Sequence, residues 1–308
     1  MSDPLYVGFD LGGTQLKYGL IDGLGALVFK DKAPSPGSIE GLMDLIGDIW
    51  KKLRAEYGAR LSSAGFGFAG FFSLKDRKVL HSPNYPSLDG FDLVPALEKV
   101  LDAPFRIDND ANMAAYGEWK HGAGRDAHSL VLLTIGTGVG SGIILNGKLW
   151  QGRCGFAGEI GHITVNPTGS KCNCGNVGCL ETEVSAPKIV RNYVNKVGSG
   201  EELTAEDVYN RAKRGDAAAL ESFSACGYYL GIGLGIVINL LNPGMIVLGG
   251  GVMAGGEFLM EAAVAHARKR SHRVSFACAT IAKASLGNDA GLIGAAAWAR
   301  DQASCSTS

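Results

Sequence analysis

The spacing of hydrophobic residues along the chain predicts an alternation of strands and helices. A short apolar run at 5–9 is followed by a glycine-rich turn and by apolar residues at every second position from 16 to 20, which predicts two consecutive strands. Between 38 and 56 the apolar residues recur at intervals of three and four, which predicts a helix. The same reasoning predicts strands at 64–69, 105–107, 130–135, 141–145 and 245–248, and helices at 91–100, at 111–121 and up to about 241.

Two short segments of the chain follow the same plan. Asp10-Leu-Gly-Gly-Thr and Thr134-Ile-Gly-Thr-Gly each join two predicted strands through a turn of Gly and Thr. The repetition predicts an α/β fold of two duplicated α/β domains around a cleft. We expect residues 1–118, together with a C-terminal helix at about 290–308, to form the smaller domain, and residues 119–289 to form the larger one.

The composition is that of a globular chain and argues against two classes of protein. The chain has 308 residues, enough for two domains, and its 46% hydrophobic and 19% charged residues are not the composition of a disordered protein. A formal net charge of −1 provides no basic surface for a nucleic-acid backbone, so no nucleic-acid partner is expected. Glycine is abundant, at 45 residues, which indicates many tight turns and close approaches between elements.

One uncharged stretch, 225–256, has the hydropathy of a membrane span. Asn239, Asn242 and Pro243 interrupt it, so a buried helix, a turn and a buried strand are predicted instead, and no membrane partner is expected. The N-terminal residues lack the basic segment of a signal peptide, and the seven cysteines are odd in number, with three close together. A cytoplasmic protein is therefore expected.

A histidine and three cysteines have the spacing of a metal site. His162 is followed by Cys172, Cys174 and Cys179, and the glycines among them allow the loop to fold tightly. One imidazole and three thiolates match a closed tetrahedral zinc site, which leaves no position for water. The sequence therefore predicts a structural Zn²⁺ in the loop 162–181.

Two carboxylates lie where predicted strands end. Asp10 precedes the Gly-Gly-Thr turn, whose backbone N–H groups could bind phosphate oxygens while the carboxylate holds Mg²⁺ or its waters. Asp110 stands between a predicted strand and a predicted helix, which is a common place for a catalytic group. Asp is also a favoured helix N-cap, so the residues alone leave both interpretations of Asp110 open.

Six motifs resemble those of the sugar-kinase family known as ROK, for repressor, open reading frame and kinase, and they occur in that family's order. They lie at 10–14, 108–112, 135–138, 158–162, 172–181 and 248–251, and so extend over nearly the whole chain. The resemblance implies an actin-like, ribonuclease-H-like ATPase fold whose cleft binds ATP and a hexose. It also implies a homodimer.

The resemblance further implies a role for each matching residue. Asp110 matches the catalytic base, and Asp10 matches a position that binds phosphate and magnesium. His162 would contact both zinc and the sugar, so that the metal orients the wall of the sugar site. Residues that match sugar contacts are Asn84, Asn109, Asp110, Glu159, His162 and Glu181, and those that match ATP contacts are Asp10, Gly12, Gly13, Thr14, Thr137, Gly138, Gly249, Gly250 and Gly251.

The implied function is that of an ATP-dependent hexose kinase, with glucose as the first choice of acceptor and Asp110 as general base. Kinases of N-acetylglucosamine, N-acetylmannosamine or fructose stay open, because the loop 83–91 departs from the glucokinase pattern Pro-Asn-Leu-Pro-Gly-Trp. Polyphosphate as the phosphoryl donor also stays open. The residues 182–184 are more polar than the resemblance leads us to expect.

A non-catalytic, sugar-sensing regulator is the alternative from another functional class. Repressors of this family carry a helix-turn-helix of several tens of residues before the first phosphate motif. Here that motif begins at Asp10, so no such DNA-binding segment is expected.

Overall fold

The computed structural model describes residues 3–73, 76–82, 85–198 and 200–304. The described residues form twelve strands in two five-stranded sheets and one hairpin, together with ten helices. The strands are β1 (Leu5–Leu11), β2 (Gln15–Ile21), β3 (Leu27–Pro34), β4 (Leu61–Phe68), β5 (Phe71–Ser73), β6 (Lys78–His81), β7 (Phe105–Asn109), β8 (Leu130–Ile135), β9 (Val139–Leu145), β10 (Lys148–Leu149), β11 (Met245–Gly249) and β12 (Thr280–Lys283). The helices are α1 (Ile39–Tyr57), α2 (Leu93–Val100), α3 (Asp110–His121), α4 (Leu180–Val184), α5 (Ala186–Val197), α6 (Ala205–Lys213), α7 (Ala217–Leu241), α8 (Glu257–Arg270), α9 (Arg273–Cys278) and α10 (Ala290–Ser304).

Both five-stranded sheets have the same strand order and the same pairing directions. In the first, β1 pairs antiparallel with β2 and parallel with β4; in the second, β8 pairs antiparallel with β9 and parallel with β11. The edge strands β3 and β7 of the first sheet correspond to β10 and β12 of the second. Each Gly/Thr turn joins the central strand of its sheet to the next strand, which agrees with the repeat predicted from the sequence.

Several predicted boundaries shift by a few residues for identifiable reasons. Helix α2 begins at Leu93 rather than at Phe91, because the backbone N–H of Phe91 donates to Leu88 and its carbonyl accepts from Val79. Strand β7 continues as far as Asn109 because it stays paired with β4. The spacing of apolar residues along the chain contains no information on either of these contacts.

Helix α7 is long and apolar enough to span a membrane by length and composition. Half of the residues in its most apolar stretch are buried, and the helix packs against α8 and α5. It ends at Leu241, where Asn242 adopts a left-handed conformation, and β11 follows. The predicted buried helix, turn and buried strand are therefore confirmed.

Among the described residues, three hydrophobic clusters hold the sheets and helices together. The first lies around β1 and β4 and includes the stacked rings of Phe9 and Phe66, whose centroids are 4.6 Å apart. The second surrounds α7. The third joins α3 and α10 to β8 and β11 through small and aliphatic side chains such as Ala115, Leu132 and Ala296. This third cluster connects the helix that begins at Asp110 to the second sheet.

Helix α10 approaches the first sheet and α3 through glycines. A Cβ on Gly65 of β4 would overlap the carbonyl oxygen of Ala295, and a Cβ on Gly294 would overlap that of Met113 in α3. Gly65 belongs to a G-x-G-x-x-G sequence at 65–70, which resembles a dinucleotide-binding motif. Because the hairpin β5–β6 follows instead of a helix, this sequence serves packing.

We expect Gly65→Ala to lower the free energy of unfolding by about 3 kcal/mol, because the added methyl group must displace the backbone of α10. Gly37→Ala is the matched control, since nothing lies within 4 Å of a Cβ built at Gly37. We expect that control to change stability by less than about 0.5 kcal/mol. Urea unfolding measures both values. Equal stability of the two variants would contradict the close packing of α10 on β4.

Candidate active site

The two sheets meet at a cleft that contains residues from distant parts of the sequence. A cavity of about 170 Å³ lies there, and both sheets contribute to its wall. Asp10 comes from β1, Thr134 from β8, Gly249 from β11 and Asp110 from the first residue of α3. Ligands of open α/β sheets commonly bind at the ends of strands in this way.

A lysine that sequence analysis missed pairs with Asp10. The Lys17 ammonium lies 3.1 Å from Asp10 Oδ2 and donates to the carbonyl oxygen of Asn288 at 3.2 Å. Lys17 reaches this position because β2 places it directly opposite Asp10 in the antiparallel register with β1. The length of the Gly/Thr turn between the two strands was the sequence signal that could have identified this pair.

Asp110 is not the N-cap of its helix. The cap is Asn109, whose Oδ1 accepts hydrogen bonds from the N–H groups of Ala111 and Asn112 at 2.8 and 3.2 Å. The Asp110 carboxylate accepts from the Ala111 N–H at 2.9 Å and lines the cavity. Burial, followed by the charge of Asp10, raises the pKa of Asp110 to about 6. A carboxyl group perturbed in this way within a cleft is suited to general-base chemistry.

Three other predicted sugar contacts lie on the side of the second sheet. Glu159 precedes a short 3₁₀ turn that ends at His162, and its Oε2 lies 3.7 Å from His162 Nε2. Glu181 Oε2 accepts from the Val139 N–H at 2.9 Å, which ties α4 to the start of β9. Burial raises the pKa of Glu159, with Glu181 acting in the same direction and His162 in the opposite one. The charge of Glu159 also acts on Asp110, so the two carboxylates share one electrostatic environment.

The glycine turns predicted to bind ATP lie around the same cleft. Gly13 and Thr14 are exposed in the turn after β1, where the Gly12 N–H donates to Gln15. Gly250, with φ 87°, follows β11, and a Cβ there would overlap the backbone of Ile135, the last residue of β8. Only glycine therefore fits this turn. Asn84, the sixth predicted sugar contact, lies outside the described residues.

A larger cavity of about 600 Å³ continues from the second Gly/Thr turn. Gly136, Thr137 and Gly251 line one side of it, and Tyr209 of α6 and Phe223 of α7 line another. Sequence analysis did not identify these two aromatic residues, because aromatic side chains at helical spacing have the same pattern when they only fill a core. The cavity can accept a flat apolar ring beside the turns.

The ROK family model matches residues 6–302, which is nearly the whole chain. The chain belongs to the ROK family. It is 38% identical, over an alignment 318 positions long, to a glucokinase of Halalkalibacterium halodurans, with 96% of this chain and 94% of that protein covered. It is also 33% identical to a xylose repressor of Bacillus subtilis, over 79% of this chain and 63% of that protein.

Solved structures of ROK proteins have the same α/β fold with mixed sheets. A ROK family glucokinase from Streptomyces griseus, in complex with glucose and AMPPNP, superposes with a TM-score of 0.82 at 33% sequence identity. The superposition covers 96% of this chain and 99% of that one. An actin-like ATPase fold is consistent with this similarity and with the repeated sheet topology.

The predicted zinc ligands of this ROK chain converge on one point. One ligand atom from each of His162, Cys172, Cys174 and Cys179 lies within 4.8 Å of the others. Cys172 Sγ is 3.7 Å from His162 Nδ1, and Cys174 Sγ is 3.6 Å from Cys179 Sγ. A zinc tetrahedron with one nitrogen and three sulfur ligands has edges of about 3.6–3.8 Å. Burial raises the pKa of Cys172, and that of Cys179 to about 12, so a cation is needed to hold both as thiolates. The residues therefore fit Zn²⁺.

Proposed function

We propose that this ROK protein is a glucokinase, which transfers the γ-phosphoryl group of ATP to the 6-hydroxyl of glucose. One observation carries the proposal: Asp110 has a raised pKa, leaves the capping role to Asn109, and lines the cavity that also contains Asp10 and Gly250. A base is thereby held next to a turn suited to phosphate, as phosphoryl transfer requires. Similarity to the two glucokinases supports glucose as the acceptor.

In the proposed reaction Asp110 accepts the proton of the 6-hydroxyl while that oxygen attacks the γ-phosphorus. A new O–P bond forms as the bond from the γ-phosphorus to the bridging oxygen breaks, which yields glucose 6-phosphate and ADP. A carboxyl group with a pKa of about 6 is mostly ionised at neutral pH and can accept this proton. Such a base typically contributes about 10²–10⁴-fold to the rate.

The phosphate side of the site combines one lysine, one carboxylate and backbone N–H groups. We propose that Lys17 and the turns at 12–14 and 137–138 bind the phosphates, and that residues 249–251 lie beside the adenosine. Magnesium, when bound, would neutralise phosphate charge, and Asp10 is the carboxylate that would hold it or its waters. The 600 Å³ cavity beyond Thr137 and Gly251 has the size and lining for a purine ring.

The sugar side combines Asn109 of the first sheet with Glu159 and with two residues of the loop 162–181 that holds the proposed zinc site. Asn109, Glu159, His162 and Glu181 are proposed to bind sugar hydroxyls, together with Asn84. His162 suits two roles, because its Nδ1 faces Cys172 while its Nε2 faces Glu159. A structural Zn²⁺ on Nδ1 would leave Nε2 oriented toward the sugar.

Similarity to the xylose repressor favours a sugar-binding regulator as a second candidate. The same cleft would then bind a sugar without transferring phosphate.

For either function we propose that residues 1–118 together with α10 form one domain and that residues 119–289 form the other. The contacts of α10 with β1, β4 and α3 support this division. We also propose a homodimer in the cytoplasm, the compartment that supplies ATP.

The experiment that tests this proposal measures ADP release from Mg-ATP with glucose, mannose, fructose, N-acetylglucosamine and N-acetylmannosamine. We expect the highest kcat/KM with glucose. A higher value with another sugar would reassign the acceptor, and phosphorylation with polyphosphate but not ATP would reassign the donor. Sugar binding by calorimetry without turnover of any donor would favour the regulator.

A further inference from the structure

A glutamine in the loop between β10 and Glu159 bonds to a buried carboxylate of the first sheet. The side-chain N–H of Gln151 donates to Asp108 Oδ2, which belongs to β7. The backbone carbonyl of Gln151 accepts from the Ala157 N–H at 3.1 Å, which closes the loop just before Glu159.

The Asp108 carboxylate is buried, so protein hydrogen-bond donors rather than water must stabilise its charge. It is 6% exposed, and its Oδ1 accepts from the Asn109 N–H at 2.7 Å and from the Asn112 side chain at 2.8 Å. Among the described residues, Gln151 is the hydrogen-bond donor to its Oδ2. Burial raises the pKa of Asp108, while these three donors lower it. Loss of the Gln151 donor would leave a buried carboxylate oxygen without a partner, which is unfavourable.

A second contact joins the same loop to the hairpin β5–β6, which follows β4 of the first sheet. The rings of Phe156 and Phe71 pack edge to face, with centroids 5.4 Å apart. A small cavity beside them is lined by Asn109, Gln151 and Gly155. The loop 150–158 is therefore held against the strand end that leads into Asn109 and Asp110.

We propose that the Gln151–Asp108 hydrogen bond fixes the loop that carries Glu159 relative to the strand end that carries Asn109 and Asp110. Gln151 is then a positioning residue for the sugar site, and the inference rests on the proposed function. Asp108 contacts the backbone of Asn109 directly, and Gln151 is tied to the residues just before Glu159. This side-chain pair thus links the two halves of the sugar site, with the Phe71–Phe156 contact beside it and away from the glycine turns proposed for ATP.

The test exchanges donor and acceptor. Gln151→Glu removes the amide donor and places a second carboxylate opposite Asp108. The double variant Asp108→Asn with Gln151→Glu restores the hydrogen bond with reversed polarity, because the Asn amide can donate to the new carboxylate. Asp108→Asn alone also keeps a bond, since the Gln151 amide can turn to present its oxygen. Asn195→Asp on α5 is the matched control, an exposed amide that gains the same charge.

Glucose affinity without ATP is measured by calorimetry and through the tryptophan fluorescence of the protein, to which Trp150 contributes; it neighbours Gln151 and is 52% exposed. We expect Gln151→Glu to weaken glucose binding and to raise the KM for glucose by about tenfold or more, with the KM for ATP unchanged. The double variant should return to within about threefold of wild type, as should Asp108→Asn and Asn195→Asp.

Unchanged glucose affinity in Gln151→Glu, or a double variant as weak as the single one, would overturn the positioning role. If Gln151→Glu does not fold, Gln151→Ala is compared with the wild-type protein alone, because alanine offers no group with which a double variant could restore the bond. An unchanged glucose affinity of Gln151→Ala would also overturn the positioning role. Failure of the proposed function looks different: the wild-type protein itself would then neither bind nor phosphorylate glucose.

Discussion

Replacing Asp110 by Asn should lower kcat for glucose phosphorylation by about 10²–10⁴-fold. The amide cannot accept the proton of the 6-hydroxyl, whereas the contacts proposed for sugar and ATP are retained. We therefore expect glucose affinity within a fewfold of wild type, measured by calorimetry. Asp48→Asn on the exposed face of α1 is the matched control, with 77% of its side chain exposed and wild-type turnover expected. Near-normal kcat in Asp110→Asn would remove Asp110 from the role of base.

The pH dependence of the wild-type enzyme belongs to the same prediction. Because the base acts when ionised, kcat/KM for glucose should rise with pH and level off above the pKa of about 6. Asp110→Asn should lose this dependence in its residual activity. An activity that is flat between pH 5 and about 7 in the wild type would assign the base to another group.

The contribution of Asp110 to stability should depend on pH with the opposite sign to its contribution to activity, and this provides a control. Folding raises the pKa of Asp110 from 3.8 to about 6, so the folded chain holds this proton more tightly than the unfolded chain. The contribution of Asp110 to the free energy of unfolding therefore falls as the pH rises from 3.8 to about 6. Above pH 6 or so the buried carboxylate is ionised, and the full destabilisation is present. Asp110→Asn avoids that cost, and at pH 7 the variant should unfold at a denaturant concentration no lower than wild type. Lost activity with retained stability separates a chemical role from a structural one.

The strand–turn–strand plan of each sheet could be predicted because its determinants are local. An apolar run, a Gly/Thr turn and a second alternating run fix a hairpin within about fifteen residues. The parallel strands β4 and β7, or β11 and β12, depend on contacts between residues far apart in the sequence. Periodicity located β4, β7 and β11 but missed β12, and it could not order any of these strands in the sheets.

The site shows the same division between local and distant information. Motif positions place Asp10 and Asp110 at strand ends, but the ion pair of Asp10 with Lys17 depends on cross-strand register. The choice between an N-cap and a free carboxylate at Asp110 required the side-chain hydrogen bonds of Asn109. The sequence Asp-Asn-Asp contains two good caps in succession, and composition alone cannot select between them.

Glu183 is a charged residue whose position has a structural explanation. It is 1% exposed, its carboxylate lies 2.8 Å from Lys188 Nζ, and it accepts from the Asn166 amide at 3.3 Å. The polar residues after Glu181 therefore anchor the segment before the cysteines to α5. In the sequence this polarity is a departure from the family pattern. The sequence does not reveal its reason, because Asn166 and Lys188, which compensate the buried charge of Glu183, lie on either side of it along the chain.

Replacing Cys179 by Ala should remove the metal from the loop 162–181 and strongly reduce both stability and glucose affinity. Cys179 is fully buried among the four donor atoms, and three ligands bind Zn²⁺ far more weakly than a closed set of four. Structural zinc can contribute roughly 10–16 kcal/mol of apparent binding energy to ordering its loop. Metal content by mass spectrometry should fall from one zinc per chain to near zero. Cys278→Ala, at an exposed cysteine outside the cluster, should retain the metal and the Tm.

The effect on glucose follows from the position of the loop relative to the site. His162 belongs to the metal cluster, and Glu181 bonds the start of β9, so disorder in the loop releases both proposed sugar contacts together. Cys179→Ala should therefore raise the KM for glucose by at least about tenfold, beyond the loss expected from one weakened hydrogen bond. Wild-type protein treated with a chelator should show the same change, and added zinc should reverse it. If active wild-type protein contains no zinc, or if Cys179→Ala keeps its Tm and its KM, the loop is ordered by its own packing and the metal assignment fails.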